Sequence, residues 1–268
     1  MLFFEILWWM QVLSTDQLIK MIIIMIMILL MIMIKHYDKH RLQAIRHDYF
    51  SYFPERYLLS ITMIFGATVA GMTSEGGGAV AFPVMTLALG IAPSVARDFS
   101  LMIQSCGMTA AAFTIFWMRI KLEKHSLIFC STGAVAGMIL GLEVVDVALS
   151  PPQKKLGFVC IWFSFAFALF LLNREHKRKT FDEILNFGVW QAIVLLFVGF
   201  LGGIFSAVAG SGVDICSFSV LSLLFRVSEK VSTPTSVVLM AINTVFGEES
   251  DTIIYEDFNI WYSRILLA

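Results

Sequence analysis

Charged residues are scarce in this sequence. Aspartate, glutamate, lysine and arginine together make up 15% of its 268 residues, and the formal net charge at pH 7 is −1. A nucleic-acid partner calls for a strongly basic surface, so we predict none. Hydrophobic residues make up 58% of the chain, which is more than a soluble domain of this size requires. We therefore predict an all-α, polytopic helix bundle, an integral membrane protein whose surroundings are the lipid bilayer.

Several motifs of catalysis and nucleotide binding are absent from the sequence. It contains no G-x-x-x-x-G-K-[ST], no G-x-G-x-x-G and no H-E-x-x-H, which argues against an ATP-driven pump and against a zinc protease. None of its cysteines stands in a C-x-x-C pair, so neither a disulfide framework nor a metal site is indicated. We predict no enzymatic activity, no catalytic residue, no cofactor and no bound metal.

The first long apolar segment is broken by glycine. It covers residues 57–91 and would be about 52 Å long as one helix at ~1.5 Å per residue, whereas the hydrocarbon layer is about 30 Å thick. A Ser-Glu pair at 74–75 and three glycines at 76–78 stand near its middle. Glycine disfavours helix, and backbone groups freed within a membrane must line a cavity or be buried in protein. The pattern predicts a discontinuous helix whose broken middle contributes to a binding site.

A second apolar segment, 200–218, carries a similar break. Glycines and an acidic residue interrupt it at 210–214. Aligning Glu75 with Ser211 gives an offset of 136 residues (211 − 75), and the offset is 135 or 136 in the region that follows. Repeated segments with paired helix breaks are typical of secondary transporters. We therefore predict two tandem repeats, each opening with a glycine-broken helix.

The alignment divides the chain into four parts. The second repeat lacks counterparts to the apolar spans at 126–149 and 156–172, so we expect it to be incomplete. The predicted parts are an N-terminal membrane anchor with a basic cytoplasmic loop (1–56), a first transmembrane repeat (57–180), a partial second repeat (181–247) and an acidic C-terminal tail (248–268).

The distribution of lysine and arginine indicates an orientation. If each broken segment crosses the membrane once, loops 35–56, 119–125 and 173–188 share one side and hold 12 of these residues, against five in the loops of the other side. Cytoplasmic loops are enriched in lysine and arginine, so we predict that these three loops are cytoplasmic and that the repeats are parallel. In the alternative, each broken segment turns back to its own side, the repeats are inverted, and the tally is eight against nine. The tally favours single crossings.

Two motifs carry a resemblance to a known family. The break at 74–78 is followed by Pro83 and by Ala-Arg-Asp-Phe-Ser at 96–100, and Gly-Ser-Gly-Val-Asp at 210–214 fills the second break. Over roughly residues 57–247, the chain resembles the TauE/SafE family of sulfite exporters. The resemblance implies a membrane transporter for small anions such as sulfite or organosulfonates, either secondary active or facilitated. A truncated, non-transporting protein that acts as a scaffold or partner subunit is the alternative.

The two breaks predict where a small anionic solute binds. Backbone N–H groups at helix N-termini attract anions, and glycine allows the backbone to approach a ligand closely. Hydroxyl and amide side chains near the breaks add further donors. Tight helix crossing is the alternative role of the glycines. The candidate solute-binding residues are Ser74, Gly76, Gly77, Gly78, Gln104, Gly210, Ser211, Gly212, Thr235 and Ser236.

Acidic residues at the breaks suggest coupling to an ion. Carboxylates inside a membrane are costly unless they are paired, protonated or hydrated. Glu75 and Asp214 hold nearly equivalent positions in the two predicted repeats. We therefore predict that they couple transport to a proton or a cation.

Other polar and small residues have structural interpretations. For Gln104 and Asn243, hydrogen bonding between helices is favoured over solute contact. Arg97 and Asp98 form either a local ion pair or a group that steers anions. Glycines at 133, 137 and 141 are spaced by four residues and are predicted to let helices pack closely. A homo-oligomer stays open as a further partner.

Overall fold

The computed structural model describes residues 61, 64–66, 68, 78–174, 179–185 and 187–254. Helices dominate this part of the chain, and no β-strand occurs in it, so the all-α prediction is confirmed. The predicted anchor at 1–56 lies outside the described residues. The helices are α1 (Gly78–Pro83), α2 (Pro93–Trp117), α3 (Lys124–Leu140), α4 (Pro151–Arg174), α5 (Val189–Ala209), α6 (Val213–Ser219) and α7 (Glu229–Ile254).

Short π-helical turns extend three of these helices. Five-residue turns follow α1, α3 and α6, at Val84–Ala88, Gly141–Val145 and Val220–Leu224. One further α-helical turn, Asp146–Ala148, completes α3. The last helix, α7, continues to Ile254 and so passes the predicted end of the second repeat at 247.

Four of the described helices are long and apolar enough to cross a membrane, judged by length and composition. These segments are Pro93–Trp117, Lys124–Ala148, Pro151–Leu171 and Val189–Ala209. Large apolar side chains cover their outer faces: Trp117, Phe163 and Trp190 are 79%, 72% and 70% exposed. Large apolar side chains exposed in this way suit lipid rather than water. The predicted polytopic membrane bundle is confirmed.

Glycines set the contact between α3 and α5. A Cβ atom at Gly133 would overlap the backbone of Leu196, and one at Gly137 would overlap the backbone of Phe200. The residue numbers on the two helices rise together, so α3 and α5 run in the same direction. Small residues let helix backbones approach closely in membranes. The contacts confirm the predicted packing role of these glycines.

The second broken segment enters the bundle and turns back. α5 ends at Ala209, and α6 packs antiparallel to it, because Gly202 of α5 lies against Val213 at the start of α6. The apolar helix Val213–Leu224 reaches only about 18 Å at ~1.5 Å per residue. That length is short of the roughly 30 Å that one crossing requires.

Both ends of this hairpin emerge at one end of the bundle. Phe181 N donates to Arg226 O (3.0 Å) and Ser228 N donates to Phe181 O (2.8 Å), which joins the chain before α5 to the chain after α6. Lys121 and Asp182 form an ion pair there as well (3.3 Å). We call this end of the bundle the 181 end. The opposite end holds the turn between α3 and α4, and we call it the 150 end. The prediction that this segment crosses the membrane once is wrong.

The half-helices α1 and α6 lead to opposite ends of the bundle. α1 runs toward the 150 end, where Lys155 Nζ donates to Thr86 O (3.0 Å), and α2 begins there. α7 begins at the 181 end, where Glu123 N donates to Thr235 Oγ1 (3.0 Å). The unit α1–α2 therefore runs opposite to the unit α6–α7. The predicted parallel arrangement is wrong, because it assumed a single crossing by each broken segment.

The bounds of these two units keep a constant separation. Their π-helical turns begin at Val84 and Val220, and the helices that follow begin at Pro93 and Glu229. Both separations are 136 residues (220 − 84 and 229 − 93), which equals the offset found between the two breaks. The constant offset supports the interpretation of an internal repeat in inverted orientation, and the repeat itself stays a prediction.

Candidate functional site

The hinge between α5 and α6 depends on a left-handed glycine. Gly210 has a φ of +77°, and its N–H donates to Ser206 O (2.7 Å), which closes the last turn of α5. Glycine adopts this conformation without the steric cost that other residues meet. A Cβ atom at Gly210 would also lie 3.0 Å from the side chain of Ser100 on α2. The chain is broken here, as the glycines predicted.

Gly212 allows α6 to start against α5. A Cβ atom at this position would lie 2.7 Å from Phe205 Cβ and 2.8 Å from Gly202 O, so a larger residue does not fit. The N–H of Val213 donates to Ser206 Oγ (3.2 Å). This N–H is one of the backbone donors expected to face a solute, but it donates to Ser206 of α5 instead. The hairpin thus requires glycine at position 212 because a larger side chain would collide with α5. This steric requirement adds to the left-handed backbone conformation required at Gly210.

Asp214 and Ser211 form a contact pair at the hinge. Asp214 lies in the first turn of α6 and is fully buried. The Ser211 hydroxyl lies 3.1 and 3.0 Å from its two carboxylate oxygens and donates to them. The structure therefore brings together two of the predicted residues and commits the hydroxyl proton of Ser211 to the carboxylate. A carboxyl group buried in a membrane protein is costly and often functional.

Gln104 connects α2 to the hinge. It is buried, with 1% of its surface exposed. Its Nε2 donates to Ser100 Oγ (2.8 Å) and to Gly210 O (2.7 Å), which confirms a hydrogen bond between helical segments. Its Oε1 has no hydrogen-bond partner within the described part of the protein. One side of the amide thus holds the hinge, and the oxygen on the other side is buried without a hydrogen-bond partner among the described residues.

Asn243 on α7 was not among the predicted solute contacts. It is 1% exposed, and neither atom of its amide has a hydrogen-bond partner among the described residues. The predicted hydrogen bond between helices is therefore not seen for Asn243 within the described residues. The signal in the sequence was a single amide within an otherwise nearly apolar run at 237–245, but its surroundings depend on how α7 packs.

Thr235 and Ser236 lie at the 181 end, beside the start of α3. Thr235 Oγ1 donates to Val231 O (2.6 Å) and accepts from Glu123 N (3.0 Å). Ser236 Oγ donates to Thr233 O (2.8 Å). Both hydroxyls therefore bond to backbone groups near the start of α7, and the structure does not bring them to the hinge.

Only part of the first break is described. Gly78 begins α1, and Ser74, Glu75, Gly76 and Gly77 lie outside the described residues. α1 packs through Phe82, whose ring stacks on Phe158 of α4 at 4.7 Å between centroids. The proposed roles of the first glycine triplet and of Glu75 stay predictions.

A buried charge cluster lies at the 150 end, near the hinge. Arg97 pairs with the adjacent Asp98 and, through Nη1, with Asp146 Oδ2 (2.7 Å). Asp146 Oδ1 also pairs with Lys154 Nζ (2.6 Å), and Arg97 Nη1 donates to Ala207 O (3.2 Å). The predicted local ion pair of Arg97 and Asp98 is confirmed, and it is part of a larger cluster. Across the described residues, no group of three or more His, Cys, Asp or Glu side chains could hold a metal ion.

Comparison with known proteins identifies one family. The model of the sulfite exporter TauE/SafE family matches residues 58–248, which is more than half of the chain and includes both breaks. No curated protein and no solved structure matches the chain.

Proposed function

Because the chain belongs to the TauE/SafE sulfite exporter family, we propose that it moves a small anion of the sulfite or organosulfonate class across a membrane. The family is one of membrane transporters rather than enzymes. The described bundle, with four helices suited to crossing a bilayer, agrees with this role. The transport mode is secondary active or facilitated.

The observation that carries the proposal is a polar hinge inside an apolar bundle. Gly210, Ser211, Gly212 and Gln104 meet where α5 turns back into α6, and all four are buried. Irregular backbone at membrane depth is tolerated where it lines a cavity or is buried in protein, and transporters bind their solutes at such breaks. We assign the solute to this hinge and to the break at 74–78.

Asp214 is the proposed coupling residue of the hinge. Its carboxyl group is fully buried, and a buried carboxylate in a membrane is stable only with a proton, a cation or a donor beside it. Ser211 supplies one donor. We propose that a proton or cation binds Asp214 together with the solute, and that Glu75 serves in the same way at the first break.

The 181 end is proposed to face the cytoplasm. Loops 119–125, 173–188 and 226–232 hold nine lysines and arginines, against three in 92–98 and 150–155. Two of those three, Arg97 and Lys154, are buried in the charge cluster. Positively charged loops favour the cytoplasmic side, so we propose that loops 119–125 and 173–188 are cytoplasmic. Loop 35–56, predicted to be cytoplasmic as well, lies outside the described residues; on the 150 side, where the inverted arrangement puts it, its five basic residues make the tally nine against eight.

Flux through proteoliposomes tests the function. The full chain is reconstituted, and uptake of radiolabelled sulfite is measured for the native protein, for Gly210→Val and for Gly107→Ala. The first variant forces a branched side chain into the left-handed hinge beside Ser100, whereas Gly107 on α2 has open space around it. We expect Gly210→Val to lose uptake and Gly107→Ala to retain it. A native chain that folds, inserts and moves no anion would instead favour the scaffold or partner-subunit role.

A further inference from the structure

Both half-helices pack against α4 through a phenylalanine. The ring of Phe82 on α1 stacks on Phe158 of α4, with 4.7 Å between the ring centroids. The ring of Phe218 on α6 meets Phe165 of α4 edge to face, at 6.1 Å. Phe82 and Phe218 are 136 residues apart (218 − 82), which is the separation that relates the bounds of the two units. Their contacts lie about two turns apart along α4.

The starts of α1 and α6 lie beside the stretch of α4 between these two contacts. α4 begins at the 150 end, so Phe158 is nearer to that end than Phe165. α1 runs toward the 150 end, and the residues that precede Phe82 therefore lead toward the level of Phe165. α6 runs toward the 181 end, and the residues that precede Phe218 lead toward the level of Phe158. Both half-helices thus begin next to the same two turns of α4.

Trp162 occupies this stretch of α4. Its ring centroid lies 5.8 and 5.9 Å from those of the two α4 phenylalanines on either side of it. Trp162 packs against the apolar cluster that includes Ala81 of α1 and Ala209, the last residue of α5. It also packs against the cluster that includes Ile215 in the first turn of α6. Trp162 therefore joins the two clusters that flank the hinge.

The indole N–H of Trp162 is buried and has no hydrogen-bond partner in the described part of the chain. Indole nitrogen can only donate, and a buried tryptophan usually finds an acceptor for it. Leaving such a donor unpaired is costly, and phenylalanine would supply a ring at this place without that cost. Packing alone does not account for tryptophan here, whereas an acceptor brought by a ligand does.

Donors on the hinge itself are committed to the protein. The Ser211 hydroxyl donates to a carboxylate, and the Val213 N–H donates to α5. Gln104 Nε2 donates to Gly210 O. A buried anion needs hydrogen-bond donors around it, and the unpaired N–H of Trp162 is a donor of the required kind beside the hinge.

We propose that Trp162 binds the transported anion directly, its indole N–H donating to an oxygen of the solute between the starts of α1 and α6. The inference rests on the proposed function and adds a binding residue from α4, outside both breaks. A hydrogen bond to a charged group is stronger than one between neutral groups, so the indole raises the affinity for the anion. Without solute, the same N–H stays unpaired and lowers the stability of the protein.

Removal of the N–H alone tests this role. Trp162→Phe keeps an aromatic ring, and benzothienylalanine introduced at position 162 by nonsense suppression keeps the indole shape with sulfur in place of the N–H. Binding of radiolabelled sulfite to the purified full chain gives a Kd, and unfolding in detergent without sulfite gives a midpoint. We expect the Kd to rise about tenfold or more in both variants, the loss expected for one hydrogen bond to a charged group.

The unfolding midpoint separates binding from packing. With benzothienylalanine at position 162, the midpoint should stay the same or rise, because no buried donor is left unpaired. A packing role of Trp162 would instead lower the midpoint in Trp162→Phe, and the benzothienylalanine protein would bind sulfite as the native one does. Trp190→Phe on α5 is the matched control, because its side chain is 70% exposed on the outer face and its loss should leave the Kd unchanged.

The outcomes distinguish this proposal from the proposed function. If the native chain binds and takes up sulfite and benzothienylalanine at position 162 leaves the Kd unchanged, the assignment of Trp162 is overturned and the transport proposal stands. An equal rise in Kd for Trp190→Phe would also overturn the assignment, since the effect would then not depend on the hinge. A native chain that neither binds nor takes up sulfite would overturn both proposals.

Discussion

Arg97 on α2 and Asp146 at the end of α3 form an ion pair inside the bundle. Arg97 Nη1 lies 2.7 Å from Asp146 Oδ2, and the two side chains are 2% and 10% exposed. Lys154 at the start of α4 shares the same carboxylate, and Arg97 also donates to Ala207 O near the hinge. One carboxylate thereby holds the ends of three helices beside the point where α5 turns back.

Asp146→Ala should strongly destabilise the protein. The substitution leaves Arg97 and Lys154 buried without their shared counter-charge, and removing one partner of a buried ion pair costs about 3–5 kcal/mol. Thermal or denaturant unfolding of the purified protein in detergent measures the loss. Asp182→Ala is the control, because its pair with Lys121 is exposed on both sides (62% and 76%) and such pairs contribute at most about 1 kcal/mol. Equal losses for the two variants would contradict the role of the buried cluster.

The contrast between the predicted and observed hinge shows what sequence patterns can indicate. Glycines within an apolar segment predicted the break at 210–212, because glycine disfavours helix wherever it lies. The path after the break was predicted wrongly, because the charge tally depends on which loops share a side. The short apolar run 213–224 was the better guide, since its length does not suffice for a crossing.

The sequence pattern within one helix could not predict which groups surround a single polar side chain. The pair Arg97 and Asp98 was predictable because the residues are adjacent in sequence. The link from Arg97 to Asp146, and the lack of a described hydrogen-bond partner for the Asn243 amide, depend on which faces of α2, α3 and α7 meet. That choice is made by packing over the whole bundle and leaves no periodic signal in any one helix.

Gly137→Ala should weaken the contact between α3 and α5. A Cβ atom there would overlap the backbone of Phe200, and backbone cannot move aside as a side chain can. Overpacking of this kind costs typically about 1–3 kcal/mol, so the unfolding midpoint should fall. Gly157→Ala on α4 is the matched control, since a Cβ atom at Gly157 would meet no described atom within 4 Å, and it should not lower the midpoint. A Gly137→Ala protein as stable as Gly157→Ala would show that the two helices are not in close contact.

Single cysteines should show that the hinge hairpin returns to the end from which it started. In a background without native cysteines, Glu183→Cys before α5 and Glu229→Cys after α6 are both exposed positions. Because Phe181 bonds to Arg226 and Ser228, we expect a membrane-impermeant thiol reagent to label both from one side of sealed vesicles. Gln153→Cys at the 150 end, also exposed, should be labelled from the other side. Labelling of Glu183→Cys and Glu229→Cys from opposite sides would require a single crossing.

Asp214→Asn should separate solute movement from its driving ion. Asparagine keeps an acceptor for the Ser211 hydroxyl, so the hinge should hold its shape, but the side chain can no longer take up a proton or pair with a cation. We expect uptake driven by a pH or cation gradient to fall to the uncoupled level, while exchange of labelled for unlabelled sulfite at equal concentrations continues. Ser211→Ala is the control, because it removes the hydroxyl and keeps the carboxyl group, so gradient-driven uptake should persist. Gradient-driven uptake that is unchanged in Asp214→Asn would exclude Asp214 as the coupling group and leave Glu75 as the remaining predicted one.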